Sequence, residues 1–274
     1  MTGPERLSLN QATVQRWSAV EAIEGCARHG IGLVGLWRDK VAADGLPRVR
    51  RALTETGVRV SSLCRGGFFP APDAAVRRAR LDDNRRALDE AEALGTDVLV
   101  LVCGGVVGRD LAGSRAMVET AIATLAPEAA ARGVRLGIEP LHPMFAADRS
   151  VVCALDQALA IAERVASPVV GVVVDAYHVW WDDRVFDGIA RAGAAGRILG
   201  FHVDDWIVPL PDPLLGRGMM GDGVIDLRGL RAAVDAAGYR GPIEVEIFQQ
   251  ALWDAPGDDV VRRVKERFVE HVLG

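Results

Sequence analysis

Aromatic residues, lysine and cysteine are all scarce in this chain, and each shortage excludes something. Aromatics make up 5% of the 274 residues, as 6 Trp, 7 Phe and 2 Tyr, so where they fall is informative. Lysine occurs only at Lys40 and Lys265, every other basic residue being arginine, which leaves Schiff-base chemistry almost without a nucleophile. The four cysteines, Cys26, Cys64, Cys103 and Cys153, stand far apart with no C-x-x-C pair. That spacing points to reduced thiols in a cytoplasmic protein and away from thiolate-held zinc. A net charge of −5 lacks the clustered basic face that nucleic acid requires. No apolar run approaches the roughly 20 residues of a spanning helix, and residues 1–10 show no apolar leader region. Neither nucleic acid nor membrane is an expected partner.

What is present is an ordinary globular composition, half hydrophobic and a quarter charged. Strand-like apolar runs fall at 7–10, 31–36, 58–63, 97–103, 134–139, 169–175, 197–203 and 243–248. Amphipathic stretches at 17–29, 46–56, 72–94, 114–132 and 227–237 alternate with them, and most of them stop at a glycine suited to a left-handed cap. Ser114 and Asp226 are read as N-caps. Strict alternation without a linker predicts one α/β domain over residues 1–274, a (β/α)8 barrel, for which about 250 residues is typical. An open doubly wound sheet would alternate in the same way, but no strand leads into G-x-G-x-x-G. One connection, 204–223, shows neither helical nor strand pattern and is rich in Pro, Gly and Met. A structureless loop of that length marks function or an interface, and its place after the seventh strand puts it on the C-terminal face.

The chemistry sits at strand ends. Glu139, Asp175, His202 and the pair Glu244 and Glu246 close the last four strands, where burying charge is costly unless it is paired or metal-bound. Singly, Glu139 or Asp175 would serve equally well as a helix cap or ion pair. In a closed barrel, however, these ends are neighbours on one rim, so Glu139, Asp175, His202 and Glu246 are expected to converge. Three carboxylates and one imidazole suit one divalent ion, Mn2+ being the expected one and Mg2+, Co2+ or Zn2+ the alternatives. Glu244 shares the face of Glu246 by period-two alternation. Glu246 is preferred because it lies nearer the rim, and Glu244 is expected deeper, paired with a barrel arginine.

As a set, Gly137-Ile-Glu-Pro140, Val174-Asp-Ala-Tyr-His178, Phe201-His-Val-Asp-Asp205, Gly221-Asp-Gly-Val-Ile-Asp226 and Glu244-Val-Glu-Ile-Phe248 resemble the xylose isomerase-like barrel superfamily. The similarity is to its sugar phosphate isomerase/epimerase and inosose isomerase branch, and it runs from Ser8-Leu-Asn-Gln-Ala-Thr13 to Phe248. The resemblance implies that Glu139, Asp175, His202 and Glu246 hold the metal. It also implies that His178 touches a substrate oxygen, that Arg217 pairs with substrate or with a carboxylate ligand, and that Asn10 lines the floor of the site. His178 could instead hold Asp175 in place.

Other residues are read from their position on the same rim. His142, three residues past Glu139, is either a general base or a capping histidine. Arg65 and Arg38 are placed to bind phosphate or hydroxyls, or to form surface ion pairs. Cys64 and Cys103 are read as packed thiols, and His29 and His271 as structural. Trp37, Phe68, Phe69, Phe145, Tyr177, Trp180, Trp181, Trp206, Phe248 and Trp253 all fall at or beyond strand ends, a ring of aromatics around the site. Trp37 and Trp206 are expected to pack on a sugar or cyclitol ring, and Trp180 or Trp253 to meet a second copy or a partner subunit.

The expected reaction is isomerisation or epimerisation of a sugar or cyclitol ketone. An ion chelated by carbonyl and hydroxyl stabilises an enediolate, and Glu139 and Glu246 move the proton from opposite sides. A hydride shift is the less favoured variant. Elimination from the same start would give a lyase of 3-keto-glycosides, including C-glycosides, of a kind that works with a partner subunit. A DNA endonuclease would call for extra histidines on the early strands, which end instead in Trp37, Cys64 and Cys103. A non-catalytic sugar-binding barrel is at odds with a complete ligand set.

Overall fold

The computed structural model describes residues 3–274. Met1 and Thr2, part of the span read as one domain and of the start read for a leader, lie outside the described residues. The barrel strands are β1 (Leu7–Asn10), β2 (Leu33–Trp37), β3 (Arg59–Gly67), β4 (Val98–Val102), β5 (Arg135–Glu139), β6 (Val170–Asp175) and β7 (Ile198–Val203). After a ribbon made of β8 (Asp205–Trp206) and β9 (Arg217–Gly218), β10 (Ile243–Val245) completes the circle. The strands pair in parallel in the closed order β1-β10-β7-β6-β5-β4-β3-β2, so the ends of β5, β6, β7 and β10 adjoin on one rim.

Period-two alternation divides the apolar residues between two layers. In β4, Val98 and Val100 pack inside the barrel with Cys64, Val173 and Leu199, while Leu99 and Leu101 join the layer beneath the helices. The helices begin and end on local signals. Ser18 and Glu21 form a capping box at the start of Ala19–Arg28, and Gly57 and Gly95 close Leu46–Thr56 and Ala74–Leu94 in the left-handed region. Asp226 caps Leu227–Ala236 through the Gly229 amide. Among the described residues, no helix is long and apolar enough to cross a membrane.

Two sequence expectations are corrected. The helix placed from Ser114 begins earlier, at Leu111, and its cap is Asp110, whose carboxylate accepts from the Gly113 amide at 2.7 Å. A charged acceptor is favoured at a helix N-terminus. Ser114 lies within the first turn, where its hydroxyl accepts from Val107 N and donates to Asp110 O. The segment 204–223 is not structureless either, because Asp205–Trp206 and Arg217–Gly218 pair antiparallel. The Asp205 carboxylate draws the segment together by accepting from the amides of Trp206, Gly221, Gly223 and Ile225. Side-chain acceptance of this kind leaves no periodic trace in a sequence.

Gly67 ends β3 at a point the backbone could not otherwise reach. Its φ is +103°, and a Cβ there would lie 2.0 Å from Val102 O, while Asn84 bonds both its amide and its carbonyl. Gly67→Ala is expected to lower stability by about 2–3 kcal/mol in urea denaturation. Wild-type stability in that variant would contradict this reading.

Candidate metal centre

Glu139 and Asp175 end β5 and β6, His202 is the last residue but one of β7, and Glu246 follows β10 directly. Each is buried and offers one ligand atom to a common point, these atoms lying within 4.8 Å of one another. His202 Nδ1 is 3.2 Å from Glu139 Oε1 and 3.9 Å from Asp175 Oδ2. Yet neither His202 Nδ1 nor Glu139 Oε1 makes a hydrogen bond. Buried polar atoms left without a partner cost on the order of 1–3 kcal/mol each. Two such atoms aimed at the point that Asp175 and Glu246 also face, with one imidazole among carboxylates, fit the donor set of a divalent ion.

The electrostatics fit it too. Burial raises the Glu139 carboxyl, raises Glu246 to about 8 and lifts Asp204 well above the ordinary carboxylate range. Burial also works against ionised Asp175, but the neighbouring His178, Arg217 and His202 and the Tyr177 amide outweigh it and hold that group low. For His202, burial favours the neutral ring, and the neighbouring Glu244, Glu139 and Glu246 override it, carrying the ring to about 10. Without an ion, the centre holds protons that a bound cation would displace.

Glu244 lies beneath this centre, its Oε1 3.7 Å from His202 Nε2. The arginine expected beside it is not there. Glu244 instead accepts from Asn10 Nδ2 at 2.7 Å, Ser61 Oγ at 2.6 Å and Ser62 Oγ at 3.0 Å, and three neutral donors satisfy a buried carboxylate without an arginine. Space for it comes from Gly35, where a Cβ would meet Glu244 Oε1 at 2.2 Å. Asn10 is fully buried, and its Oδ1 accepts from Trp37 Nε1 and Ala12 N. It therefore supports Trp37 and Glu244 from below rather than facing the cavity.

The ribbon brings Arg217 into the centre. Its Nη1 donates to Asp204 Oδ2 at 2.9 Å, Glu246 Oε2 at 3.2 Å and Asp175 Oδ2 at 3.4 Å. Its guanidinium lies 4.7 Å from the Tyr177 ring centroid and 4.8 Å from that of Phe248, within cation–π range. Tyr177 in turn donates to Pro213 O, tying the loop to the end of β6. His178 is held neutral by burial, down to about 3. Its Nδ1 accepts from the His142 amide, and its Nε2 lies 3.3 Å from Arg217 Nη2.

Around these groups is a cavity of about 140 Å³ lined by Trp37, Arg65, Glu139, His178, Arg217, Glu246 and Phe248, among others. An outer cleft of about 530 Å³ shares Trp37, Cys64, Arg65 and Phe248 with it. Asp175 and His202 lie beneath the cavity lining, as Asn10 does, and two further predicted site residues, His142 and Trp206, are also not on the inner wall. His142 accepts from Met144 N and caps the turn Pro143–Phe145, its ring set against Trp181 and Trp206. Trp206 packs on Tyr177 and Trp180. Ring–ring packing has drawn both away from the cavity.

Further out, Arg38 is taken up by Asp83 and Glu90, and burial pushes the Cys64 and Cys103 thiols up. Trp180 and Trp253 are half-buried against Trp206 and Phe248. Among the described tryptophans, only Trp181 is exposed. Asp204 and Arg149 belong to the site or its walls but were not predicted there. The Asp204-Asp205 doublet signalled the first, whereas nothing in the sequence marks Arg149.

A family model described as a xylose isomerase-like TIM barrel matches residues 20–268, and the chain belongs to that family. It is 32% identical over 252 residues to a curated Pseudomonas aeruginosa protein named 3-dehydroshikimate dehydratase, a match that covers 86% of this chain but only 37% of that protein. A crystal structure of a Sinorhizobium meliloti 1021 protein is 50% identical with TM-score 0.97, covering 99% of this chain and 100% of its own. The crystal structure of the IOLI protein with a zinc atom bound shares the fold at 20% identity and TM-score 0.84, with 97% of each chain covered.

Arg217 is the one fixed charge set against Asp204, Glu246 and Asp175 together. Arg217→Met is expected to destabilise the EDTA-treated protein by about 3–5 kcal/mol in urea denaturation. Added Mn2+ should narrow the gap by binding the folded state. Equal stability of variant and wild type without metal would contradict the assignment.

Proposed function

We propose that the protein is a metal-dependent isomerase or epimerase of a sugar or cyclitol ketone. The observation that carries this reading is the meeting of two buried carboxylates, Glu139 and Glu246, at one ligand point on the wall of a small cavity. A divalent ion, proposed as Mn2+ and held by Glu139, Asp175, His202 and Glu246, would supply Lewis-acid stabilisation of charge on the substrate carbonyl oxygen.

The chain's own residues do the rest. One of the two glutamates removes the proton from the carbon next to the carbonyl, and the other returns a proton to the same or the adjacent carbon. His178 and Arg217, which line the cavity, hydrogen-bond substrate hydroxyls and fix which carbon faces which carboxylate. Trp37 and Phe248, edge to face at 5.6 Å, wall off water and present apolar surface to the ring.

A second reading follows from the similarity to the curated dehydratase. After the same proton removal, the C–O bond to a β-hydroxyl breaks, and the hydroxyl leaves with that proton as water. The glycoside variant of this elimination would put its aglycone in the outer cleft.

Deuterium wash-in from D2O, followed on a panel of inososes, ketohexoses and 3-dehydroshikimate, tests both readings. Exchange with the ketone retained supports the isomerase, and loss of water supports the dehydratase. No exchange or turnover on the panel overturns the proposal. Glu246→Gln is expected to slow the reaction by about 10²–10⁴-fold, and EDTA to abolish it until Mn2+ is restored.

A further inference from the structure

Three arginines line the inner cavity, and they differ in how the protein meets their charge. Arg38 on the same rim is bonded to Asp83 and Glu90, and Arg217 to Asp204 and Glu246. Arg65 lines the cavity, is half-buried, and has no carboxylate within ion-pair distance. Its one close partner is the face of the Phe68 ring, 4.0 Å away. Arg149 lines the same cavity. Its only acid is the exposed Asp148, at a loose 3.8 Å.

Both backbones are fixed while the charged ends are left over. Arg65 lies within β3. Arg149 donates its amide to Phe145 O and accepts from Gly104 N at 2.7 Å. Burial and the neighbouring Arg149 both act against the charge on Arg65. Two planar donor forks beside one small chamber, one with no acid and the other with only a loose, exposed one, match the needs of a bound oxyanion.

We propose that Arg65 and Arg149 form an oxyanion subsite, and that the hydroxyketone handled at Glu139 and Glu246 carries an acidic group, a carboxylate or a phosphate ester, held there. The substrate class is thereby narrowed from neutral sugars and cyclitols to compact anionic hydroxyketones. This rests on the hydroxyketone reading above, so the test has to separate the two.

Calorimetric titration of the Mn2+-loaded protein with two matched pairs does so: 3-dehydroshikimate against its methyl ester, and fructose 6-phosphate against fructose. At least one charged member is expected to bind at least about tenfold more tightly than its neutral partner, and which pair shows it tells carboxylate from phosphate. That advantage should fall below about threefold in Arg65→Ala and again in Arg149→Ala. Arg149, on a loop at the cavity edge, keeps the test open should Arg65→Ala fail to fold. Equal affinity within both pairs, an advantage that survives both substitutions, or no binding of any of the four overturns the subsite. If charge makes no difference but the neutral compounds still exchange deuterium, the subsite fails and the hydroxyketone reading stands. If the arginines select the charged members yet none of the four exchanges or turns over, the anion site stands and that reading fails.

Discussion

Glu139, Asp175, Asp204 and Glu246 are buried together at one end of the barrel, and Arg217 is the one permanent positive charge among them. Carboxylates that close cannot all ionise out of water unless something positive joins them. In the metal-free protein protons meet part of that need, which is why burial raises Glu246 and Asp204. The empty hydrogen-bonding valences of His202 Nδ1 and Glu139 Oε1 mark where a bound cation would meet the remainder. Much of the surrounding architecture keeps this arrangement in place.

The loop after β7 is the clearest case. It crosses the rim as a short ribbon so that Arg217 enters between Tyr177 and Phe248 and reaches three acids at once. Asp205 gathers the far end of the loop by its amides, and Tyr177 holds its middle through Pro213. On the inner side, Glu244 faces the far nitrogen of His202 at 3.7 Å while being satisfied by Asn10, Ser61 and Ser62. Carboxylates stand in this position behind metal-binding histidines.

The barrel was legible because its signals are periodic. Runs such as Val98–Val102 and Val170–Asp175 must be apolar on both faces, and Gly57 and Gly95 close the helices between strands. Glu139, Asp175, His202 and Glu246 stood out for the opposite reason, as charge at the end of apolar strands. Distinctions that depend on side-chain direction were not legible. His142 and Trp206 follow the right strands, yet they turn into a cluster of rings with Trp180 and Trp181. The rim tryptophans face one another more than solvent for the same reason. Asn10 reads as a floor residue, and its position beneath Trp37 depends on hydrogen bonds to partners 27 and 234 residues away. The Asp110 cap and the Asp205 clasp are likewise local bonding choices that hydrophobic periodicity does not encode.

The central claim is that one divalent ion belongs among these four side chains and that Glu244 stands behind it. Anomalous diffraction at the manganese edge, from crystals of Mn2+-loaded protein, tests that directly. The account predicts a single strong peak bonded to Glu139, Asp175, His202 Nδ1 and Glu246, with Glu244 outside bonding distance. A peak ligated by Glu244 in place of Glu246, or no peak at this rim in protein saturated with manganese, would contradict it.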